Sequence, residues 1–279
     1  MKKLLFIISF ASKAIIACLP VSTANAQNSH DTVSLKTHPP TIVNNGAFYF
    51  SWGYNSEWYT KSNITVSQPS LNNKVTFVNI VAHDHEGWNY NFFHKPLTIP
   101  QYNYRIGYFF NQQQDWGFEI NFDHAKYVVD PGQNVEMKGV YQGRNIDSII
   151  VTSPKSIQWE LNNGANFLEF NFVRKIKILD VWKSKIQLDA LLKLGAGPVI
   201  PHVQNTIFGI DNIRHFQFGG FNVDADAAIR LTFFKHIFFE LFDKVVYAKY
   251  WGLRLYDGTG KQAFGCYELA LVVGGTFKL

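Results

Sequence analysis

The densest group of potential ligands and proton carriers in the chain is Ala-His-Asp-His-Glu-Gly-Trp, residues 82–88. In an extended strand His83 and His85 point to one side, and Glu86 is within reach of either. A His-x-His pair binds zinc or copper once a third ligand joins it, and no third ligand is placed by the sequence. A hydrated loop is the plainer reading, so His83 and His85 are weak metal candidates and no metal or other cofactor is expected. Asp123-His124 fails as an acid–base pair, because neighbouring residues of a strand face opposite ways. A serine nucleophile needs a histidine placed to deprotonate it, and Ser51, Ser153 and Ser156 have no persuasive partner. No catalytic residue is therefore assigned. Arg105 and Glu119 fall on the same side of two strands that read as a hairpin. They could select a solute, but a structural salt bridge is the simpler expectation.

The elements carrying these residues are strands almost throughout. Asp-Trp-Gly-Phe-Glu-Ile-Asn-Phe-Asp-His, residues 115–124, alternates Trp116, Phe118, Ile120 and Phe122 with Gly117, Glu119, Asn121 and Asp123. That period of two gives one oily face and one charged face. The same alternation appears in 47–55, 102–110, 135–141, 167–172, 186–194, 221–233 and 267–279, and more weakly in 74–82. The stretch 237–242 is apolar on both faces. Polar segments at 61–73, 83–98, 142–157, 201–213 and 252–264 read as long loops, alternating with tight joins such as Asp130-Pro131-Gly132. By parity Arg105, Glu119, Asp123, Glu136, Lys138, Glu169, Asp189, Lys193, Asp224, Asp226, Arg230, Glu240 and Glu268 share the polar face.

The ends and the composition narrow the setting. Lys2 and Lys3, an apolar run and Ala24-Asn25-Ala26 make residues 1–26 a signal peptide; Ile15-Ile16-Ala17-Cys18 offers a lipobox as the alternative. Residues 27–45 are a polar leader carrying Pro39-Pro40. After cleavage Cys266 is the one remaining cysteine, a packing residue that forms no intrachain disulfide. The chain holds 25 Phe, 13 Tyr and 7 Trp, while charged residues make up 17%, below the roughly 25% of soluble domains. The net charge of +5 is not gathered into a basic arm, which argues against nucleic acid as a partner.

From export signal through alternating strands to an apolar last residue, the sequence resembles Gram-negative outer-membrane β-barrel proteins over residues 46–279. The final strand carries the resemblance most directly: Tyr267, Leu269, Leu271, Val273, Phe277 and Leu279 would form the lipid face of the closing strand. The family's terminal aromatic is here displaced to Phe277. The resemblance implies an all-β fold, a single transmembrane antiparallel up-and-down barrel of about ten strands, with eight to twelve allowed. The charged face would then line the lumen, and Tyr102, Tyr108, Trp116, Tyr127, Tyr141 and Tyr267 would sit in interfacial girdles. It also implies Sec export, residence in the cell outer membrane, a periplasmic leader, and outer-membrane lipids and the barrel-assembly machinery as partners. Activity stays open, with a narrow channel or a surface-binding protein of unknown ligand preferred over an enzyme. Omptin-type proteases place Asp-x-Asp in the second-strand loop, where His83-Asp84-His85-Glu86 stands here. An outer-membrane hydrolase and a soluble exported β-sandwich or lipocalin-like binder are the alternatives.

Overall fold

The computed structural model describes residues 46–85, 101–110, 115–183 and 185–278. The signal peptide, the leader, Glu86 and Leu279 lie outside the described residues. In chain order the strands are β1 Ala47–Tyr59, β2 Ser62–Gln68, β3 Asn73–Ile80, β4 Ala82–His83, β5 Tyr102–Phe109, β6 Trp116–Asp123, β7 Tyr127–Val129, β8 Asn134–Tyr141 and β9 Arg144–Val151. They continue as β10 Ile157–Leu161, β11 Phe167–Val181, β12 Ile186–Pro198, β13 His202–Ile207, β14 Ile210–Asp211, β15 His215–Phe216, β16 Gly220–Phe233, β17 Ile237–Arg254 and β18 Thr259–Lys278.

Eight of them close into a ring by antiparallel pairing, in the order β1, β5, β6, β11, β12, β16, β17, β18 and back to β1. The seam between first and last strands runs from Ala47 opposite Lys278 to Tyr59 opposite Cys266. Its register fixes the geometry of the barrel. Phe48 leads across the ladders to Tyr108, Phe118, Phe172, Leu194, Ala225, Val245 and Tyr267, then returns to β1 at Trp58, ten residues further on. A shear of ten over eight strands tilts them by roughly 43° and gives a backbone radius of about 8 Å, wide enough only for side chains.

Alternation sets the two faces. On β17 Ile237, Phe239, Leu241, Val245 and Tyr247 are exposed on the outside, whereas Phe238, Glu240, Phe242 and Lys244 are buried within. The outer face of the whole ring is of the same kind, with Phe50, Ile106, Phe118, Phe172, Leu194 and Leu271 all exposed. The short connections from β11 to β12 and from β16 to β17 lie at the end that holds Ala47 and Lys278.

At the opposite end the chain builds a cap. β18 continues past the ring and pairs through Thr259–Ala263 with β2, from which β3, β8 and β9 extend the same sheet. A second sheet, β14-β13-β10-β7-β4, faces it, with β15 paired to β13. Both contribute to one apolar core: Ile64, Val66, Phe77 and Met137 from the first, Tyr127, Trp159, Leu161 and Val203 from the second. Tyr250 and Phe264, from the long strands β17 and β18, join it from below, so barrel and cap share side chains. The hairpin β8–β9 turns on Gln142 and Gly143, both at positive φ, the geometry of a type I′ turn that matches strand twist.

The cap accounts for several departures from the sequence reading. The ring holds eight strands, the low end of the expected range, because β2, β3, β8 and β9 belong to the extension. The segments read as loops at 61–73, 142–157 and 201–213 contain β2, β9 and β13, and 252–264 holds the outer parts of β17 and β18. In β2 the more exposed Asn63, Thr65 and Ser67 alternate with Ile64 and Val66 and hide that short apolar alternation. Val135 and Met137 pack in the cap core rather than on the outside of the barrel. Tyr127 is fully buried there and bonds Ser62 at 2.9 Å, while Tyr141 packs against Phe208; neither is a girdle residue. Glu136 and Lys138 do not face the lumen: they pair with each other at 2.8 Å on the outer side of β8, beyond the ring.

Candidate functional site

The barrel interior is a packed stack of charges, built by the inward positions of all eight strands. Nearest the end that holds Ala47 and Lys278, Arg105 on β5 bonds Glu119 on β6 and Asp226 on β16, each at 2.8 Å. Lys193 on β12 reaches Glu240 at 2.8 Å, Glu119 at 3.2 Å and Asp226 at 3.7 Å. Arg230 closes the set on Glu240 at 2.6 Å. Three bases thus meet three acids, with side chains no more than 4% exposed. Tyr49 donates its hydroxyl to Glu119 at 2.7 Å. Aromatic rings seal the gaps: the Arg105 guanidinium lies 3.8 Å from the Phe242 ring centre, and that of Arg230 4.0 Å from Phe238. Cation–π contact and hydrogen bonding offset part of the cost of desolvating these ions. Asp189, next to Arg230 in the ladder, is buried and takes the Gln187 amide at 2.8 Å.

One layer further along, the balance changes. Lys244 is the single base among Asp123, Glu169, Asp224 and Glu268, all buried. Its ammonium contacts Asp123, Glu169 at 2.9 Å and Glu268 at 3.0 Å. Asn121 donates to Asp123 and Glu169 at 2.8 and 2.6 Å. Both Asp224 oxygens are enclosed without a hydrogen bond.

At the junction with the cap, Glu57 accepts from Asn55 at 2.5 Å and from Gln101, which also donates to Asp84 at 2.9 Å. Asp84 takes the Glu57 backbone amide at 2.8 Å. Burial pushes the Asp84 carboxyl up to about 6, against the hydrogen bonds that favour its charge. The histidines beside it part company. His83 pairs with Asp130 on the cap surface, and His85 faces Asn162 at 3.4 Å. Among the described residues no three His, Cys, Asp or Glu side chains converge on a metal position. His124 hydrogen-bonds Asn166 at 2.9 Å, and Asp123 points inward.

The structure brings Arg105, Glu119, Lys193, Asp226, Arg230 and Glu240 into one network. It gathers Asp123, Glu169, Asp224 and Glu268 in the next. Sequence reasoning missed Lys244, which organises the second, and Tyr49, which bonds the first. Lys244 lies four residues beyond Glu240 and so on the same face, but Phe238 and Phe242 on that face blurred the period. On the closing strand Leu269, Leu271, Val273 and Phe277 are exposed and Tyr267 is half-buried on the outside.

Closed pairing, an apolar exterior and a charged interior define a small antiparallel barrel of inverted polarity. Solved structures of similar fold are outer-membrane barrels. The outer membrane protein OprG from Pseudomonas aeruginosa is 10% identical, over 85% of this chain and 98% of that one, with a TM-score of 0.36. The outer membrane protease OmpT from Escherichia coli is 7% identical, over 89% and 99%, at 0.38. Ail, the attachment invasion locus protein of Yersinia pestis, solved with the heparin analogue sucrose octasulfate, is 11% identical, over 84% and 99%, at 0.30. No protein-family model and no curated protein matches the sequence.

Proposed function

We propose that the chain is a sealed barrel of the outer membrane that presents its cap at the cell surface for binding. Export by residues 1–26 and insertion by the barrel-assembly machinery are part of this reading. The observation that carries it is the enclosed ion network: Arg105, Lys193, Arg230 and Lys244, each buried between strands, leave the interior as packing rather than passage. The outward band supports the membrane. From Ile237 to Tyr247 it is about 24 Å tall at the strand tilt, close to the roughly 25 Å of such barrels, and the one outward carboxylate on that stretch of β17, Asp243, accepts the Tyr267 hydroxyl. The face that holds Ala47, Lys278 and the short turns is periplasmic in this reading, and the cap is extracellular. Surface binding is favoured over hydrolysis because no described histidine hydrogen-bonds a serine.

Planar-bilayer recordings test the seal: the purified protein should give no discrete conductance steps, and steady openings by folded protein would reject the closed lumen. Leu271→Arg tests the membrane face. Leu271 sits midway along the seam, exposed and opposite Tyr54, so a buried guanidinium there should cost about 2–4 kcal/mol in a lipid unfolding assay. An Arg variant as stable as the parent would place that face in water.

A further inference from the structure

Above the outer end of the apolar band, which Asp243 interrupts on β17, the outward face of β16 and β17 turns aromatic and basic. On β17 the outward series runs Val245, Tyr247, Lys249, Trp251. Phe221 on β16 stands opposite Lys249 in the ladder and packs on Trp251 with ring centres 5.9 Å apart. The next segment keeps to the same wall, since Trp251 donates its amide to the Gly219 carbonyl at 2.8 Å and Arg254 its amide to Gln217 at 3.0 Å. On that segment Phe218 is 75% exposed, and Arg214 is exposed. Lys249 and Arg254 are exposed as well, so the two neighbouring segments carry three exposed cations and three exposed aromatic rings.

A phenylalanine so open beside an exposed Trp is unusual on a water-facing surface and marks a contact. Two features name the occupant. The patch continues upward from the lipid-facing wall without a break, on the same two strands. Lys249 lies two residues beyond Tyr247 on the same outward face, the depth at which lipid phosphates begin above the hydrocarbon, and Arg254 follows beyond the register shift at Tyr250–Leu253. We infer that Phe218, Phe221, Trp251, Lys249, Arg254 and Arg214 form a docking site for a phosphate-bearing lipid of the outer leaflet. The rings would hold the top of an acyl chain or the sugar above it, and the three bases the phosphates. Arginine suits this role through its bidentate fork. The site would anchor one flank of the cap to the membrane surface and so set the cap's orientation.

This inference rests on the membrane placement above, and the test separates the two. The full-length mature barrel and the Arg214→Gln/Lys249→Gln/Arg254→Gln variant are reconstituted into phosphatidylcholine nanodiscs carrying a small share of brominated lipid A. Quenching of Trp251 is read as the difference from a Trp251→Phe protein. Brominated phosphatidylcholine is the control. With about fivefold per basic side chain, the parent should favour lipid A over the triple variant by about a hundredfold at low salt, and less as salt screens the charges. Lys249→Arg should keep the preference, and Phe218→Ser should weaken it. Equal quenching in parent and triple variant, both shown folded by heat-modifiable migration, overturns the site. So does loss of quenching on adding millimolar inorganic phosphate, which would mean an ion site, or appearance of dimers in place of lipid preference. Failure of the parent itself to enter nanodiscs as a folded barrel would instead count against the membrane placement.

Discussion

Replacing Lys244 with methionine is expected to lower the barrel's unfolding free energy by about 3–5 kcal/mol, the usual effect of removing one member of a buried ion cluster. Methionine fills much of the same volume, so the loss is electrostatic rather than a cavity. Asp123, Glu169 and Glu268 all contact this one ammonium, and among the described residues no other base forms an ion pair with them. Denaturant unfolding in detergent micelles, followed by the mobility shift between folded and unfolded barrel on gels, gives the number. Adding Asp123→Asn, Glu169→Gln and Glu268→Gln to Lys244→Met should recover most of the loss, because the repelling charges leave with their partner. An unfolding midpoint unmoved by Lys244→Met alone would show that the layer is solvated and the interior open.

Removing Thr276 to Leu279 should abolish insertion. Thr276, Phe277 and Lys278 pair with Tyr49, Phe48 and Ala47, and the Thr276 amide also bonds the His236 carbonyl. Without them the Ala47–Tyr49 edge of β1 and the His236 carbonyl lose their partners at the membrane boundary, each unpaired group costing several kcal/mol where no water reaches. The truncated chain should gather in the periplasm without a heat-resistant form. Lys278→Ala, which keeps the backbone pairing, should assemble normally. Normal levels of truncated barrel in the membrane fraction would show that the seam closes elsewhere.

The barrel was legible in the sequence because its walls separate oil from charge, and period-two alternation reports that directly. Glu119 between Phe118 and Ile120 is an instance, as is Asp226 between Ala225 and Ala227. The cap was not legible, for a related reason. Its strands bury one face against another sheet and put the other in water, so Ser62–Gln68 and Arg144–Val151 carry the composition of loops. Glu136 and Lys138 alternated as well as any barrel residue, yet parity says only that two residues share a face, not which compartment the face meets. The stretch 237–242 was ambiguous because Phe238 and Phe242 face inward, where they stack on guanidinium groups. An inward aromatic of that kind looks like a lipid-facing one until the cation above it is known.

The shared core of barrel and cap gives the chain a direction of assembly. On the proposed placement, residues 60–85 and 124–166 cross the membrane before β2, β3, β8 and β10 can meet, and they cross with Phe77, Met137 and Trp159 unburied. Once across, these side chains collapse onto Tyr250 and Phe264 at the tops of β17 and β18. Burial outside thus acts as a ratchet: each segment that folds on the far side opposes its own return. A compartment without nucleotide fuel can in this way draw its largest loops outward by the free energy of their own packing. The cap, in this view, is the pawl that holds the barrel through the membrane.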